Sequence, residues 1–305
     1  MFVIKRFSEL TFNEALSLWN ESWKHYFSDM TMDLNRFLQK VTSEGISLEH
    51  SVVAVYEGKL AGFVLNSFRT INDKKYVWNG GTAIAPEFRG MGIGKKLIEA
   101  SLEIYEEQDV DVARLEAIKE NEAAIKLYEK MGYETFEELT FLQYEGELPQ
   151  LKRTNREITV EEVSMQQIKS VSFYEPLTAW QTQFSSLKDF ICVLATKNGE
   201  SVGYAVYKKG YRDDGELAGI VLYQCVTNPH VRDEKDTTSE LIHYSFSPVE
   251  AAVRRITMNV PKKDNALNSL LTDIGFTPLV EQVHMERPMK KEQEPCVTKT
   301  FAEKD

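Results

Sequence analysis

FVIKRF (2–7) alternates apolar and polar positions and predicts a short strand. From about Thr11 the apolar positions change to helical spacing, with Ala15, Leu16, Trp19 and Trp23 near one face, and a second helix is expected over about 33–41. SVVAVYEGKLAGFVLNSF (51–68) reads as two β-rich runs joined by Glu57, Gly58 and Lys59, a hairpin signal. A strand over about 75–84 leads into a glycine-rich segment, and a helix over about 92–107 keeps Ile93, Leu97, Ile98, Leu102 and Tyr105 on one side. A strand at 111–118, a helix at 121–132 closed by Gly132, and a strand at 133–144 complete the first half.

The polar stretch EGELPQLKRTNRE (145–157) reads as a boundary, and a similar order of elements recurs after it. A helical region is expected over about 161–187, then a hairpin at 190–207 and strands at 216–226 and 254–260. DNALNSLLTDIGFTPL (264–279), a helix that stops at a glycine before a strand, parallels NEAAIKLYEKMGYETF of the first half. Two copies of one unit are therefore expected, over 1–148 and 149–288, with a flexible polar tail over 289–305.

Composition narrows the function classes. The net charge is −11, and residues 1–150 hold 16 basic against 25 acidic side chains. A nucleic-acid binder would show a basic face, so that class is excluded, and the acidic first half favours a cationic acceptor. Hydrophobic content of 42% with 11% aromatics suits packed cores. The absence of an apolar run of about 18 residues, and an N-terminus unlike a signal peptide, predict a soluble, cytoplasmic protein. Cys192, Cys225 and Cys296 are too far apart for a disulfide framework or a thiolate metal site. The five histidines (His25, His50, His230, His243, His284) lack ligand spacing, so no metal is expected.

The chemistry concentrates in IAPEFRGMGIGKKLIEA (84–100), with three glycines in five residues. Glycine costs about 1 kcal/mol relative to alanine inside a helix, so bare backbone there needs a reason. A strand, a glycine turn and a helix place free N–H groups at the positive end of a helix dipole, ready for phosphate oxygens. The spacing fits neither the dinucleotide fingerprint nor the P-loop.

Arg89-x-x-Gly92-x-Gly94 resembles the R/Q-x-x-G-x-G/A signature of the GCN5-related N-acetyltransferase (GNAT) superfamily, and the order of elements over most of 1–145 is similar to that family's. Asn121, Ala124, Tyr128, Gly132 and Tyr133 resemble its second signature. The resemblance implies an α/β fold of two tandem GNAT-like domains, each a mixed, mostly antiparallel sheet flanked by helices. It implies acetyl-CoA as donor, with the pyrophosphate on the backbone of Arg89, Gly90, Met91, Gly92, Ile93, Gly94 and Lys95. The pantetheine arm would pair with Thr82, Ala83 and Ile84 and bond Asn121, and Tyr128 would protonate the leaving thiolate. Glu116, five residues before Asn121, is the candidate general base; an outward strand carboxylate is its alternative. Tyr128 could otherwise be a core residue. Trp78 and Tyr76 are either acceptor-channel or core aromatics, and Trp19, Trp23 and Tyr26 lie where acceptor contacts are expected.

The second copy departs from the pattern. No glycine stands between Gly219 and Gly275, and Asp233, Glu234 and Asp236 would repel phosphate. Thr272 or Leu271 takes the place of Tyr128. The expected function is acetyl transfer from acetyl-CoA to a small or peptide amine by the first half alone, without nucleic acid or membrane and with a homodimer possible. The second half would shape the acceptor site, mediate pairing or bind its own ligand. An acyl-CoA sensor without turnover, or a purely structural pairing role, are the alternatives.

Overall fold

A computed structural model describes residues 2–149 and 157–290. Strand β1 (Phe2–Arg6) leads to helices α1 (Phe12–Ser22) and α2 (Leu34–Glu44), then strands β2 (Val52–Tyr56), β3 (Lys59–Ile71) and β4 (Lys74–Ile84). Helix α3 (Ile93–Glu107), strand β5 (Val112–Ile118), helix α4 (Glu122–Lys130) and strand β6 (Glu134–Gly146) follow. Thr11 caps α1 reciprocally with Glu14, and Gly45, at φ 69°, ends α2 in the left-handed conformation. These local signals explain why the first-half elements lie where the periodicity puts them.

The second half begins differently from expectation. In place of a helical region at 161–187 it forms strand β7 (Ile158–Val163), a short helix α5 (Met165–Ser170), and single 3-10 turns at Trp180–Thr182 and Phe184–Ser186. Ile158, Val160 and Val163 pair with β8 (Ile191–Lys197), and Ser164 caps α5 in a box with Gln167. Pairing and the cap override the weak helical spacing. Strands β9 (Glu200–Tyr211) and β10 (Leu217–Thr227) precede helix α6 (Glu234–Ser245), an element absent from the sequence reading. Its buried side includes Thr237, Thr238, Ser239 and Ser245, so polar residue types hide the core-facing stripe. The small side chains are needed: a Cβ on Gly203 of β9 would lie 2.7 Å from Thr237 Cγ2. Strand β11 (Val253–Pro261), helix α7 (Asn265–Asp273) and strand β12 (Thr277–Pro288) complete the described chain. The expected tail, with Cys296, lies outside the described residues from 291 onward, as does 150–156 of the expected boundary.

The twelve strands of the described residues form one sheet in the order β1-β2-β3-β4-β5-β12-β6-β11-β10-β9-β8-β7. The last strand of each half is exchanged. β12 inserts between β5 and β6, and β6 pairs with β11, so each half's sheet is completed by the other's final strand. Among the described residues only β4–β5 and β10–β11 are parallel pairs. Each is a fork: β4 and β5 pair from Tyr76/Val112 to Asn79/Leu115 and then separate, and β10 and β11 pair from Gly219/Arg254 to Leu222/Thr257. Separated parallel strands leave backbone edges for a ligand, as at the carboxyl ends of other open α/β sheets.

Candidate active site

The glycine segment sits at the mouth of the first fork. Gly90 and Gly92 have φ of 77° and 78°, which a side chain would strain. Gly92 is the N-cap of α3 and supplies no side-chain cap. Among the described residues the amides of Gly90 to Lys95 have no acceptor within the protein; the first bonded amide is that of Lys96, on the Gly92 carbonyl at 3.4 Å. Several orphan N–H groups at the start of a 15-residue helix make an anion cradle. The Arg89 guanidinium does not face it: Nε donates to the Ile84 carbonyl (3.0 Å) and NH2 to those of Ser22 (3.1 Å) and Lys24 (2.7 Å). Arg89 thus ties the loop to the end of α1. Lys95 pairs with Glu99 at 3.5 Å, and Met91 is exposed.

From the cradle a cavity of about 470 Å³ runs along Thr82, Ala83, Ile84 and Leu127 to Tyr128. Thr82, Ala83 and Ile84 pair with β3 on one side and, beyond the fork, have no strand on the other. Asn121 caps α4 by accepting from the Ala124 amide at 3.3 Å and lines the same cavity. Tyr128 is buried; desolvation raises its phenol to about 12, with the Thr82 hydroxyl beside it easing the shift. At neutral pH it is a proton donor.

Tyr128, Asn121, Trp23 and Tyr26 also line a second cavity of about 350 Å³ that continues to Glu116. Trp19 and Trp78 stand in its wall; Tyr76 does not, and packs instead with Trp78 and Trp180 beneath the Arg114 guanidinium. Gly80, the bulge residue opposite β3, makes room for the Trp78 ring, which would be 2.4 Å from an added Cβ. Glu116 is the first residue of β5 past the fork, and its carboxylate accepts a 2.6 Å bond from Trp78 Nε1. Burial pushes its carboxyl up to about 7 against the indole bond that lowers it, with the Glu44 charge adding to the rise. His284 Nε2 lies 3.5 Å from Glu116 Oε1, too long for a strong hydrogen bond. Burial holds that imidazole down to about 3, so it is neutral and forms no ion pair.

The second half supplies much of this wall, one of the roles expected for it, through residues that the sequence reading did not name. Gln181, Met258, Val280 and Gln282 line the cavity, and Glu116 lies directly opposite His284 in the β5–β12 register. Trp180 stacks on Trp78 at 5.7 Å, donates to the Glu44 carbonyl at 2.9 Å, and carries the Arg69 guanidinium 3.9 Å from its ring. Nothing in local periodicity marks residues brought in by strand exchange. Among the described residues three buried polar atoms in the cavity wall lack hydrogen-bond partners: Glu116 Oε1, Gln282 Oε1 and Trp23 Nε1. Among the described residues no group of three His, Cys, Asp or Glu side chains could hold a metal ion, and no helix is long and apolar enough to cross a membrane.

Comparisons with known proteins agree with this geometry. Residues 11–133 match the family described as Acetyltransferase (GNAT) family. A stretch of 69 residues is 35% identical to N-alpha-acetyltransferase 30 of Saccharomyces cerevisiae, covering 23% of this chain and 38% of that protein. Another of 51 residues is 41% identical to N-alpha-acetyltransferase 30 of Schizosaccharomyces pombe, covering 17% and 34%. The chain thus spans well under half the length of these curated relatives. In fold it is similar to a GCN5-related N-acetyltransferase from Sphaerobacter thermophilus (TM-score 0.67, 14% identity, 95% of this chain and 96% of that one). It is also similar to a tandem GNAT protein from the clavulanic acid biosynthesis pathway (TM-score 0.62, 14% identity, 96% and 99%). Residues 11–133 thus match the acetyltransferase (GNAT) family, and the chain has the fold of tandem GNAT proteins.

Proposed function

We propose that the chain is an acetyl-CoA-dependent N-acetyltransferase that moves an acetyl group directly to the amine of a small, largely apolar acceptor. The observation that carries this reading is one continuous groove. Unbonded amides of 90–95 stand at one end, Tyr128 at the waist, and Glu116 in an aromatic chamber at the other. The residues fit the donor: the amide cradle suits a pyrophosphate, and the apolar passage past Ile84 and Leu127 suits a pantetheine arm. Acetyl-CoA would supply the acyl group already activated as a thioester.

The remaining work falls to side chains of this chain. An amine is mostly ammonium at neutral pH and must lose a proton before it attacks. Glu116, with its carboxyl near neutrality, is matched to take that proton, since a base poised at the working pH is both available and strong enough. Trp78 Nε1 fixes the carboxylate's orientation while leaving Oε1 free. Tyr128 holds the proton for the departing thiolate at its phenol oxygen. An ammonium carries three N–H donors, and the chamber presents two unpaired acceptors, Glu116 Oε1 and Gln282 Oε1. The walls of Trp19, Trp23, Trp78 and Met258 favour an apolar body behind that amine.

The partial similarity to N-alpha-acetyltransferase 30 makes a peptide N-terminus the competing acceptor. The modest chamber, about 350 Å³, favours the small amine. Calorimetry with acetyl-CoA, on the wild type and Gly92→Glu, tests the donor half of the reading. Binding by the wild type and loss in the variant are expected; no affinity in the wild type refutes it. Thiol release with small aryl- and alkylamines against peptides of matched sequence tests the acceptor. Turnover only with peptides would replace the small amine, and binding without turnover on any amine would favour an acyl-CoA sensor.

A further inference from the structure

The second fork holds a cavity of about 700 Å³ between β10, β11 and the segment 172–182, against about 470 Å³ for the groove beside the glycine segment. It shares no residue with the donor groove and lacks that groove's cradle, since Asp233, Glu234 and Asp236 gather at the start of α6. We propose that this cleft is a binding site for a neutral carboxamide attached to an apolar group.

Its charged wall residues are already engaged. Arg114 bonds Glu286 at 3.0 and 3.1 Å, Glu137 pairs with Lys263 at 2.6 Å, and Glu175 accepts from the Leu177 amide at 2.9 Å. Asp264 caps α7 by accepting from the Leu267 amide at 3.1 Å. Glu137 Oε1, held by its ion pair with Lys263, has no hydrogen-bond partner among the described residues, and the other unmet groups of the wall are uncharged. Among the described residues Asn259, 4% exposed, has no partner for its Nδ2 or its Oδ1; Gln224, 5% exposed, gives its Nε2 to the Thr182 carbonyl at 2.6 Å and leaves Oε1 unpaired. Thr178 Oγ1 is likewise buried and unpaired. A buried amide with both ends unsatisfied is costly unless something supplies a donor and an acceptor together. An amide ligand does so, with its N–H toward Oδ1 or Gln224 Oε1 and its carbonyl toward Asn259 Nδ2 or the Thr178 hydroxyl.

The backbone is shaped for this contact. β11 carries one extra residue opposite β6 between Thr257 and Val260, and Asn259 within that bulge has φ of 51°. Bulges re-aim side chains, and asparagine is among the few side chains that tolerate the left-handed region. Phe136, Phe173, Leu177 and Tyr223 give the apolar wall, and the volume lies in the range of small-molecule sites.

The test uses the full chain and three probes with one phenylpropanoyl body: N-methyl-3-phenylpropanamide, methyl 3-phenylpropanoate and 3-phenylpropanoate, followed by ligand-observed NMR and calorimetry. The amide should bind, with the ester and the anion each weaker by roughly tenfold or more, the loss of about one to two buried hydrogen bonds. Asn259→Gly, which keeps the left-handed backbone, should cost a similar factor, and the near-isosteric Thr178→Val severalfold. Tyr128→Phe, in the other fork, should leave amide binding unchanged. An unchanged thermal midpoint shows that each variant is folded, and Thr178→Val decides the matter if Asn259→Gly is not. No binding of any probe at millimolar concentration would assign the orphan groups to ordered water and overturn the proposal. Equal binding of ester and amide, or amide binding indifferent to both substitutions, would overturn it too. None of these outcomes bears on acetyl-CoA, whose cradle lies in the first fork.

Discussion

Glu116→Gln separates the cost of the buried carboxylate from its use. The substitution keeps the shape and still offers an oxygen to Trp78 Nε1, now 2.6 Å from Glu116 Oε2. The folded carboxyl titrates at about 7 against an ordinary 4.5. A raised folded value means that the folded state holds its proton longer, so the wild type loses stability relative to the variant as pH rises from 4.5 through 7. The span of about 2.5 units at 1.36 kcal/mol each is a penalty of about 3 kcal/mol, complete by about pH 8 and absent below 4.5. Urea unfolding of both proteins at pH 4.5, 6 and 8 should therefore show nearly equal midpoints at the acid end and a variant favoured by up to about 3 kcal/mol at pH 8. Its turnover should meanwhile fall by roughly 10²- to 10⁴-fold, the usual contribution of a positioned base. Wild-type kcat/KM should rise with pH through an apparent pKa near 7, and the variant should lose that limb. A stability difference independent of pH would mean that the carboxylate is solvated and the cavity open. A variant as active as the wild type would move the base elsewhere, whatever its stability.

Tyr128→Phe should slow turnover far more than it weakens acetyl-CoA binding, measured as kcat against calorimetric affinity; equal losses would make the phenol a packing group. Gln282→Leu should raise KM for the amine with little change in acetyl-CoA affinity, since its Oε1 faces only the acceptor chamber; an unchanged KM removes it from that site. Trp180→Ala removes a stack on Trp78 and a platform for Arg69, and should cost about 3 kcal/mol or more in urea unfolding together with activity; a loss below about 1 kcal/mol would show that the contact between segments is slack.

The proposed donor half of the candidate site was legible as a place because its geometry is local. Gly90, Gly92, Asn121 and Tyr128 belong to a loop, two helix starts and the last turn of α4, whose geometry follows from neighbours a few residues away. The acceptor chamber was only half legible. Trp19, Trp23, Tyr26 and Trp78 come from elements that periodicity finds, whereas Gln282, Met258 and Trp180 arrive through pairings more than a hundred residues apart in sequence. Alternation along a strand says which face is buried, not which strand lies beside it. Arg89 shows the opposite limit: the residue type is right for phosphate, yet its guanidinium is spent on three backbone carbonyls. Helix α6 was missed because threonine and serine fill its buried side.

Strand exchange gives the second half a reason to persist without a phosphate loop. Residues 1–148 alone would leave β5 with an unpaired edge where β12 now lies, and β6 without either neighbour. That edge would carry Glu116, whose burial depends on His284 opposite it and on Trp180 above Trp78. With the edge open, water would reach the carboxyl, its titration would fall back toward 4.5, and the proposed base would lose its match to neutral pH. The fragment 1–148 should therefore bind acetyl-CoA weakly or aggregate through the bare strand. Adding residues 157–290 as a separate chain should restore binding and the pH limb near 7 together. A fragment 1–148 that is monomeric, folded and fully active would show that the exchanged strand is a linker between independent units and not part of the catalytic wall.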